Sequence, residues 1–593
     1  MEDGGAVQRQ RASRGPRYDG EDLSPTTTRE LRGFYAYGLA AEVFAVCGVG
    51  SFLPVTLEQL ARERGVLWSD KTTPCIAKKA AESAGATVAH LLARASEQQN
   101  NQCVVSVFGA EITTSSFAMY TFSIAVFVQA LALVSFSSVA DHGNYRKKFL
   151  LAFGFTGSIT SILFLLIVPK IFLLGSLLTV IGVTCLGSSF VILNSFLPVL
   201  VANHPEVHHD QSQQMEDSSS LPMEALSPGL RRRDSAEHVP HSPKRGSSKP
   251  DSSELKLSTR ISSKGVGIGY VAAVFVQVLS ILLLFIMSKT NASSTLPLRL
   301  VLFMVGVWWF AFTIPSSFWL RSRPGPPLKT ASSPSRLHSI LTYTKFAWTS
   351  LFHTIKLALK LKQVLIFLLA WFLLSDAIAT VSGTAMLFAR TELKMGTVAI
   401  ALLSITATSS GIFGAFIWPI ISKRYHLPTN LTIVCCIALM EIIPVYGLLG
   451  YLPFIQSWGV GGLQQAWEIY PLGFVHGFVM GGISSYCRSF YGSLIPEGRE
   501  AAFYALYAIT DKGSSAVGPA VVGVIVDRTG GIRPAFWFLA VLIALPLPLV
   551  WMIDVEKGKL DAGRLGEIIG KSGEDGDESD VGEEAEGLMR NHD

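Results

Sequence analysis

The sequence predicts an all-α integral membrane protein whose twelve transmembrane helices form two six-helix halves. Hydrophobic residues make up 49% of the 593 residues and charged residues only 16%, a low charge content for a soluble protein. Apolar runs recur along the chain, each about 20 residues long, the length that carries an α-helix across a bilayer. Because these runs are continuous and do not alternate with polar residues, they exclude a transmembrane β-barrel.

Twelve candidate spans follow one another along the chain, six in an N-terminal half, 34–319, and six in a C-terminal half, 364–553. They are predicted at residues 34–56, 112–139, 149–168, 171–194, 266–288, 298–319, 364–388, 397–421, 430–452, 468–490, 502–526 and 534–553. In the first span, Gly48, Gly50 and Pro54 either free backbone groups for a ligand or only kink the helix.

Lysine and arginine concentrate in loops on one side of the predicted bundle. They form the basic runs 146–148 and 423–424 and recur through the connector 320–363, which contains no acidic residue. An excess of basic residues marks cytosolic loops, so a multi-pass protein with both termini in the cytosol is expected. The long loop 57–111 then lies on the opposite, lumenal side.

Several cytosolic segments are predicted to lack a fixed structure. The N-terminus, 1–33, and the linker 202–263 are expected to be disordered, the linker because its serines, prolines and charges cannot bury a core. The acidic tail, 554–593, is expected to be disordered from Gly573 onward. In the connector 320–363, apolar residues at helical spacing alternate with lysines, which indicates either an amphipathic helix on the membrane surface or an ordinary covered connector.

Two modifications are predicted on the lumenal side. Cys75 and Cys103 share the 57–111 loop, so they either form a disulfide, if that loop faces an oxidising lumen, or remain free thiols. Asn291 begins an Asn-Ala-Ser sequon close to the membrane, which makes it a candidate glycosylation site.

Enzyme signatures are absent from the sequence. No GxSxG, HExxH or Walker A motif occurs, and no Cys/His spacing indicates a metal site. We therefore expect no catalysis, no cofactor and no bound metal. No basic cluster with interleaved aromatic residues suggests a nucleic-acid partner; membrane lipid and small solutes are the expected partners.

A candidate gating latch lies in the loop between the second and third spans, "SSVADHGNYRKKF" (137–149). Asp141 precedes a basic run that starts at Arg146. An aspartate at a helix end can pair with an arginine on a neighbouring helix or face a helix N-terminus, in one conformational state only. The alternative is a solvated loop whose basic residues only set topology.

Ionisable and polar residues inside the spans are candidates for a substrate or proton path. Glu42 lies in the first span, Asn194 in the fourth, Asp376 in the seventh, and Asp511 with Lys512 in the eleventh. A charge at mid-bilayer costs about 2.5–3.5 kcal/mol on insertion scales, so it normally faces a cavity or a partner helix. The alternative for each is a buried contact that fixes helix packing.

Asp511 and Lys512 are adjacent in the sequence, so about 100° separates them around a helix. We therefore expect them not to pair with each other. Each is expected to meet a different helix, or Lys512 to face a central cavity.

Long stretches of the chain resemble a known family. The loop 137–149 is similar to a loop motif of the major facilitator superfamily, with Ser137 in place of its first glycine. The following segments strongly resemble the fungal autophagy-related protein 22 family: "ELRGFYAYGLAAEVFAVCGVGSFLPVTLEQLARERGV" (30–66), "DKTTPC" (70–75), "NSFLPVL" (194–200), "SSKGVGIGYVAA" (262–273), "FLLSDAIATVSGTAMLFAR" (372–390) and "YALYAITDKGSSAVGPAVVGVIVDRTGGIRPAF" (504–536).

The resemblance covers nearly all of the chain from about residue 30. It implies an integral vacuolar membrane protein of the major facilitator type that exports leucine and other amino acids after autophagic degradation. Alternating access between the two halves is the expected mechanism. Protons are a candidate coupling ion, carried by Glu42, Asp376 or Asp511.

Two alternatives remain open. One is a facilitator of another small solute, such as a sugar or an organic acid. The other is a vacuolar membrane receptor or scaffold that transports nothing and recruits autophagy partners through its linker and tail.

Overall fold

The computed structural model describes residues 21–67, 72–75, 103–107, 109–207, 253–289, 295–326, 348–350, 352–393, 395, 397–496, 498–514, 517–529 and 531–575. Helices dominate these ranges. In chain order the longer ones are α1 Thr28–Arg62, α2 Thr114–Ala140, α3 Tyr145–Leu163, α4 Phe172–Ala202, α5 Ser253–Ser288, α6 Leu296–Trp319, α7 Lys362–Thr391, α8 Thr397–Arg424, α9 Thr429–Leu449, α10 Ile469–Gly492, α11 Glu500–Ser514, α12 Val517–Thr529, α13 Ala535–Trp551 and α14 Val555–Asp575; a short helix, Pro453–Trp458, follows α9.

Nine of the helices in the described ranges are long and apolar enough to cross a membrane. The number is ten if α13 and the start of α14, which are bent by 68° to each other, are one span. Helix α10 lies at the predicted tenth span but is not among the nine, because its glycines, serines, His476 and Arg488 dilute its apolar residues. The helical membrane fold is confirmed, whereas the count of twelve spans stays a prediction.

Contacts between loops define one end of the bundle, where Arg323 donates to the Thr26 hydroxyl and Gly143 forms backbone hydrogen bonds with residues 325–326. We call the end that holds Thr26, Asp141 and Glu500 the inner end. There the Thr26 amide donates to the Asn203 carbonyl at 2.8 Å, which ties the entry of α1 to the end of α4. The opposite, outer end holds a small sheet.

The predicted lumenal loop, 57–111, begins with the last turns of α1, and its other described residues include most of this sheet. Its strands are β1 Val66–Leu67, β2 Cys103–Val107 and β3 Ala110–Thr113, antiparallel in the order β1-β2-β3. Leu67 is paired with Cys103 across β1 and β2. In the structure a disulfide joins Cys103 to Cys75, with 5.9 Å between the two Cα atoms.

Helix α1 changes its winding in the middle. Residues Phe44–Phe52 form a π-helix, and Pro54 lies in the first turn of the α-helical segment that follows. The ring of Phe44 is stacked on Trp309 of α6 with 4.8 Å between ring centroids. A Cβ atom on Gly48 would lie 2.8 Å from the Phe44 ring, so the glycine leaves room for the wider turn. The predicted irregularity is thus a π-helical segment.

Glycines bring α10 close to α8. A side chain on Gly477 would overlap the Ala407 carbonyl, and one on Gly481 would overlap the Gly411 carbonyl. Such small residues let two helix backbones approach in a membrane protein. This contact fixes the rotation of α10 and hence the side chains that it presents to the interior.

The N-terminus is ordered well before its predicted boundary at residue 33. Helix α1 begins at Thr28, where the Thr27 side chain accepts a hydrogen bond from the Glu30 amide. Glu30 itself forms a fully buried ion pair with Arg323, at 2.8 Å. The prediction of disorder was wrong for residues 21–33, because a local cap and a long-range ion pair stabilise them; residues 1–20 lie outside the described ranges.

The linker and the tail also contain helix that the sequence did not predict. Helix α5 begins at Ser253, inside the predicted disordered linker 202–263, because Leu255, Leu257 and Ile261 pack into the core. The tail begins with α14, which buries Leu565. Residues 208–252, 327–347 and 576–593 lie outside the described ranges.

We expect Glu30→Gln to lower the stability of the protein strongly. The substitution leaves Arg323 as a buried charge without its partner, which costs about 3–5 kcal/mol in comparable cases. Thermal unfolding of the purified protein in detergent measures the effect. The control is Arg260→Gln, which removes an exposed ion pair with Glu206 and should change stability by less than about 1 kcal/mol. Equal melting temperatures for the two variants would contradict the prediction.

Candidate functional site

Asp141 joins the two halves at the inner end. It follows α2 and is only 2% exposed. Its carboxylate accepts hydrogen bonds from the amides of Ala501 at 2.8 Å and Ala502 at 3.0 Å. These amides belong to the first turn of α11, where helix N–H groups lack partners within the helix and the helix dipole favours a negative charge.

Arg146 completes this contact from α3. It donates to Asp141 at 2.9 Å and to Glu500 at 2.8 Å. All three side chains are buried, and Glu500 also accepts from the Gly498 amide. Burial raises the pKa of the Asp141 carboxyl, while attraction to Arg146 opposes that rise. We call Asp141, Arg146 and Glu500 the inner latch.

The structure places the two predicted latch residues in contact with each other and with the N-terminus of α11. Sequence analysis missed Glu500. An acidic residue in the first turn of a helix is common, and nothing in the sequence indicated that it lies beside Arg146. Backbone hydrogen bonds between Gly143 and residues 325–326 hold the same loop against the end of the N-terminal half.

Two helices present half-buried stripes to the interior of the bundle. On α1, Tyr35, Leu39, Glu42 and Val46 recur at helical spacing, and no residue from 33 to 49 is fully exposed. On α10 the stripe consists of His476, Met480, Ser484 and Arg488, and no residue from 475 to 492 is fully exposed. Because other helices enclose both, the partial exposure of these stripes indicates space inside the bundle.

Glu42 lies on the half-buried stripe of α1. It packs against α5 at Gly269, where an added Cβ atom would lie 3.0 Å from the Glu42 side chain. Within the described ranges it makes no hydrogen bond. One turn away on α5, a Cβ atom added to Gly265 would lie 3.8 Å from the Arg488 guanidinium, so the two charges are close enough to attract although they form no ion pair.

Arg488 is a functional candidate that sequence analysis missed. Its guanidinium donates to the Ser262 hydroxyl and carbonyl on α5 and, at 3.2 Å, to the Asn194 side chain on α4. Among the described residues, no carboxylate forms an ion pair with it. Its place inside the predicted tenth span, 468–490, was the available signal, equal in kind to that of Lys512.

Asp376 connects α7 to α12. It is 3% exposed, and its carboxylate accepts a hydrogen bond from the Gly518 amide at 2.9 Å. A side chain on Gly518 would overlap the Thr380 hydroxyl. The contact explains why a carboxylate and a glycine stand at these positions: it holds two helices of the C-terminal half together.

Asp511 and Lys512 form an ion pair with each other, so the expectation that they would not is wrong. Lys512 Nζ lies 3.1 Å from Asp511 Oδ2. The long lysine side chain reaches back across the angle between the two positions, and the other carboxylate oxygen accepts from the Ser375 hydroxyl on α7. Asp511 therefore meets a neighbouring helix, as expected, and Lys512 is 48% exposed.

Asn291 lies outside the described residues. His476 contacts Ser382 of α7 at 3.0 Å, which links α10 to α7. In the ranges that the structure describes, no group of three or more His, Cys, Asp or Glu side chains could hold a metal ion.

Comparison with known proteins identifies the family. The family model described as "Vacuole effluxer Atg22 like" matches residues 26–563. The chain belongs to the Atg22-like vacuole effluxers. Autophagy-related protein 22-1 of Sclerotinia sclerotiorum is 66% identical over 606 residues, and autophagy-related protein 22 of Botryotinia fuckeliana is 65% identical over 605 residues. Each alignment covers 100% of both chains.

Solved structures establish the fold of this Atg22-like chain. A bacterial homologue of the iron transporter ferroportin, in an outward-facing state, matches with a TM-score of 0.51 at 12% identity, covering 88% of this chain and 98% of that one. The proton:xylose symporter XylE matches with a TM-score of 0.51 at 11% identity, covering 90% and 96%. The chain is a multi-pass membrane transporter with the major facilitator fold.

We expect Gly518→Ala to destabilise the protein. The added methyl group collides with Thr380 and crowds the Asp376 carboxylate, and overpacking of this kind costs about 1–3 kcal/mol. Gly523→Ala is the matched control, since it lies in the same helix and a Cβ atom there meets nothing within 4 Å. Thermal unfolding distinguishes them: a Gly518→Ala protein as stable as Gly523→Ala shows that the Asp376 contact is loose.

Proposed function

We propose that this transporter exports leucine and other amino acids from the vacuole to the cytosol after autophagic degradation. The inner end, with both termini, faces the cytosol, in agreement with its basic loops. The family description and the autophagy-related names of close relatives support the location and the direction. Interior charges such as Glu42 and Arg488 suit a charged or zwitterionic solute better than a sugar.

The inner latch is the observation that carries the proposal. Asp141 and Arg146 belong to the N-terminal half, whereas Glu500 and the α11 amides belong to the C-terminal half. The contact is polar and separable, so the halves can close at the inner end in one state and part there in another. Alternating access requires such a two-state contact.

Proton coupling is the finer part of the proposal. Three carboxylates in the spans were candidates to carry the proton. Asp376 is held by a backbone amide and Asp511 by Lys512 and Ser375, whereas Glu42 has no hydrogen-bond partner among the described residues. We therefore assign the proton to Glu42.

Radiolabelled leucine efflux from proteoliposomes tests the transport and the coupling together. We expect wild-type protein to move leucine, and to move it faster when the side that corresponds to the lumen is acidified. If leucine movement is independent of the pH gradient, proton coupling is refuted and the transport function stands. If correctly folded protein moves no amino acid, the proposed transport function is refuted and the scaffold alternative is favoured.

Breaking the inner latch should lower transport by the protein that remains folded. We expect Arg146→Gln to reduce the rate of leucine efflux at least tenfold, because two buried carboxylates lose their counter-charge and the inner end no longer closes. Glu500→Gln keeps a hydrogen-bond acceptor and should have a smaller effect. Arg260→Gln, at the same end but exposed, is the control. Wild-type efflux by folded Arg146→Gln protein would show that the latch plays no part in the cycle.

A further inference from the structure

Arg488 is a half-buried charge in the interior of the bundle that forms no ion pair with the described residues. A guanidinium has five N–H donors, and three neutral oxygen atoms of Ser262 and Asn194 serve them. A cation away from water is costly unless an anion compensates it. Glu42 is an acidic group that lies near Arg488 without touching it: the two side chains pack one turn apart along α5, against Gly269 and Gly265.

We propose that Arg488 binds the carboxylate of the transported amino acid, and that protonation of Glu42 makes it available. When Glu42 is ionised, it compensates Arg488 across the interior. When Glu42 takes up a proton, Arg488 loses that compensation and attracts a substrate carboxylate instead. Proton and substrate then favour each other's binding, and this mutual effect is reciprocal by thermodynamic linkage.

The surroundings of the pair agree with this assignment. Glu42 is on α1 of the N-terminal half and Arg488 on α10 of the C-terminal half, and both lie on half-buried interior stripes. The other titratable groups that interact with Arg488 are the hydroxyls of Tyr35, Tyr270, Tyr504 and Tyr507, and Tyr270 also acts on Glu42. Tyrosines stay neutral across the pH range of a vacuole, so Glu42 is the group of this set that can switch.

Arg488 also forms hydrogen bonds with the opposite half of the transporter. Its partners Ser262 and Asn194 both belong to the N-terminal half, so they hold the guanidinium in place while the inner latch is closed. Parting of the halves at the inner end withdraws these contacts.

The inference rests on the proposed amino-acid export, and binding to the purified full-length protein tests it separately from transport. The probes are leucine and leucinamide, which lacks the carboxylate, at pH 5.5 and 7.5. We expect leucine to bind at least tenfold more tightly at the lower pH, and leucinamide to bind weakly at both. Leucinamide that binds as well as leucine overturns the carboxylate site without any mutation.

Variants assign the roles. Glu42→Gln imitates the protonated residue, so its leucine affinity should be high and independent of pH. Arg488→Gln should lose at least tenfold in leucine affinity and leave leucinamide binding unchanged, and Arg488→Lys should recover part of the loss. Asp376→Asn should keep the wild-type pH dependence. A Glu42→Gln protein that still responds to pH, or an Arg488→Gln protein that binds leucine normally, refutes the inference.

Comparison with efflux separates the two proposals. If leucine binds with the expected pH dependence but is not moved, the transport function is contradicted and the binding site at Arg488 stands. If the Arg488→Gln protein moves leucine as fast as the wild type, the transport function stands and the binding site at Arg488 is refuted. Failure of wild-type protein both to bind and to move leucine removes both.

Discussion

The buried contact of Arg146 with Asp141 and Glu500 is the interaction on which the arrangement of the two halves depends. Removing charges from water is costly, and here the cost is offset only when all three groups and the α11 amides meet. A partly opened latch would leave a buried carboxylate or guanidinium without its partner. The contact therefore favours two states, fully closed or fully solvated, over intermediate ones, and packed helices transmit that choice through each half.

The interior charges divide according to how firmly they are held. Asp376 is fixed by a backbone amide and Asp511 by a lysine and a serine, so these two carboxylates organise α7, α11 and α12. Glu42 and Arg488 belong to different halves and lack a direct ionic partner in the described ranges. Held charges maintain helix packing, whereas incompletely compensated charges remain available to a proton or a ligand.

The sequence was informative where one residue type has one physical meaning. Continuous apolar runs predicted the membrane helices, and Asp141 before a basic run predicted a latch that could close on an arginine or a helix end. Helix ends were less predictable. Leu255 and Ile261 extend α5 because they pack into the core, and the sequence alone does not show that a core lies beside them. The roles of Asp376 and Glu42 depend on which helix stands opposite, and periodicity within a single span carries no such information. Glu500 was missed for the same reason, whereas Arg488 was missed although a charge inside the predicted tenth span was a signal.

The π-helical segment Phe44–Phe52 of α1 begins two residues beyond Glu42. A π-helix forms hydrogen bonds to the fifth residue along instead of the fourth, so it stores additional residues in each turn. If this segment rewound as an α-helix, each of its residues would turn through about 100° instead of the smaller π-helical angle, and the following segment, Leu53–Arg62, would rotate relative to Glu42. The outer segment of α1 can thus rotate relative to its inner segment. Such a rotation would change which side chains of Leu53–Arg62 face the interior while the carboxylate of Glu42 stays in position.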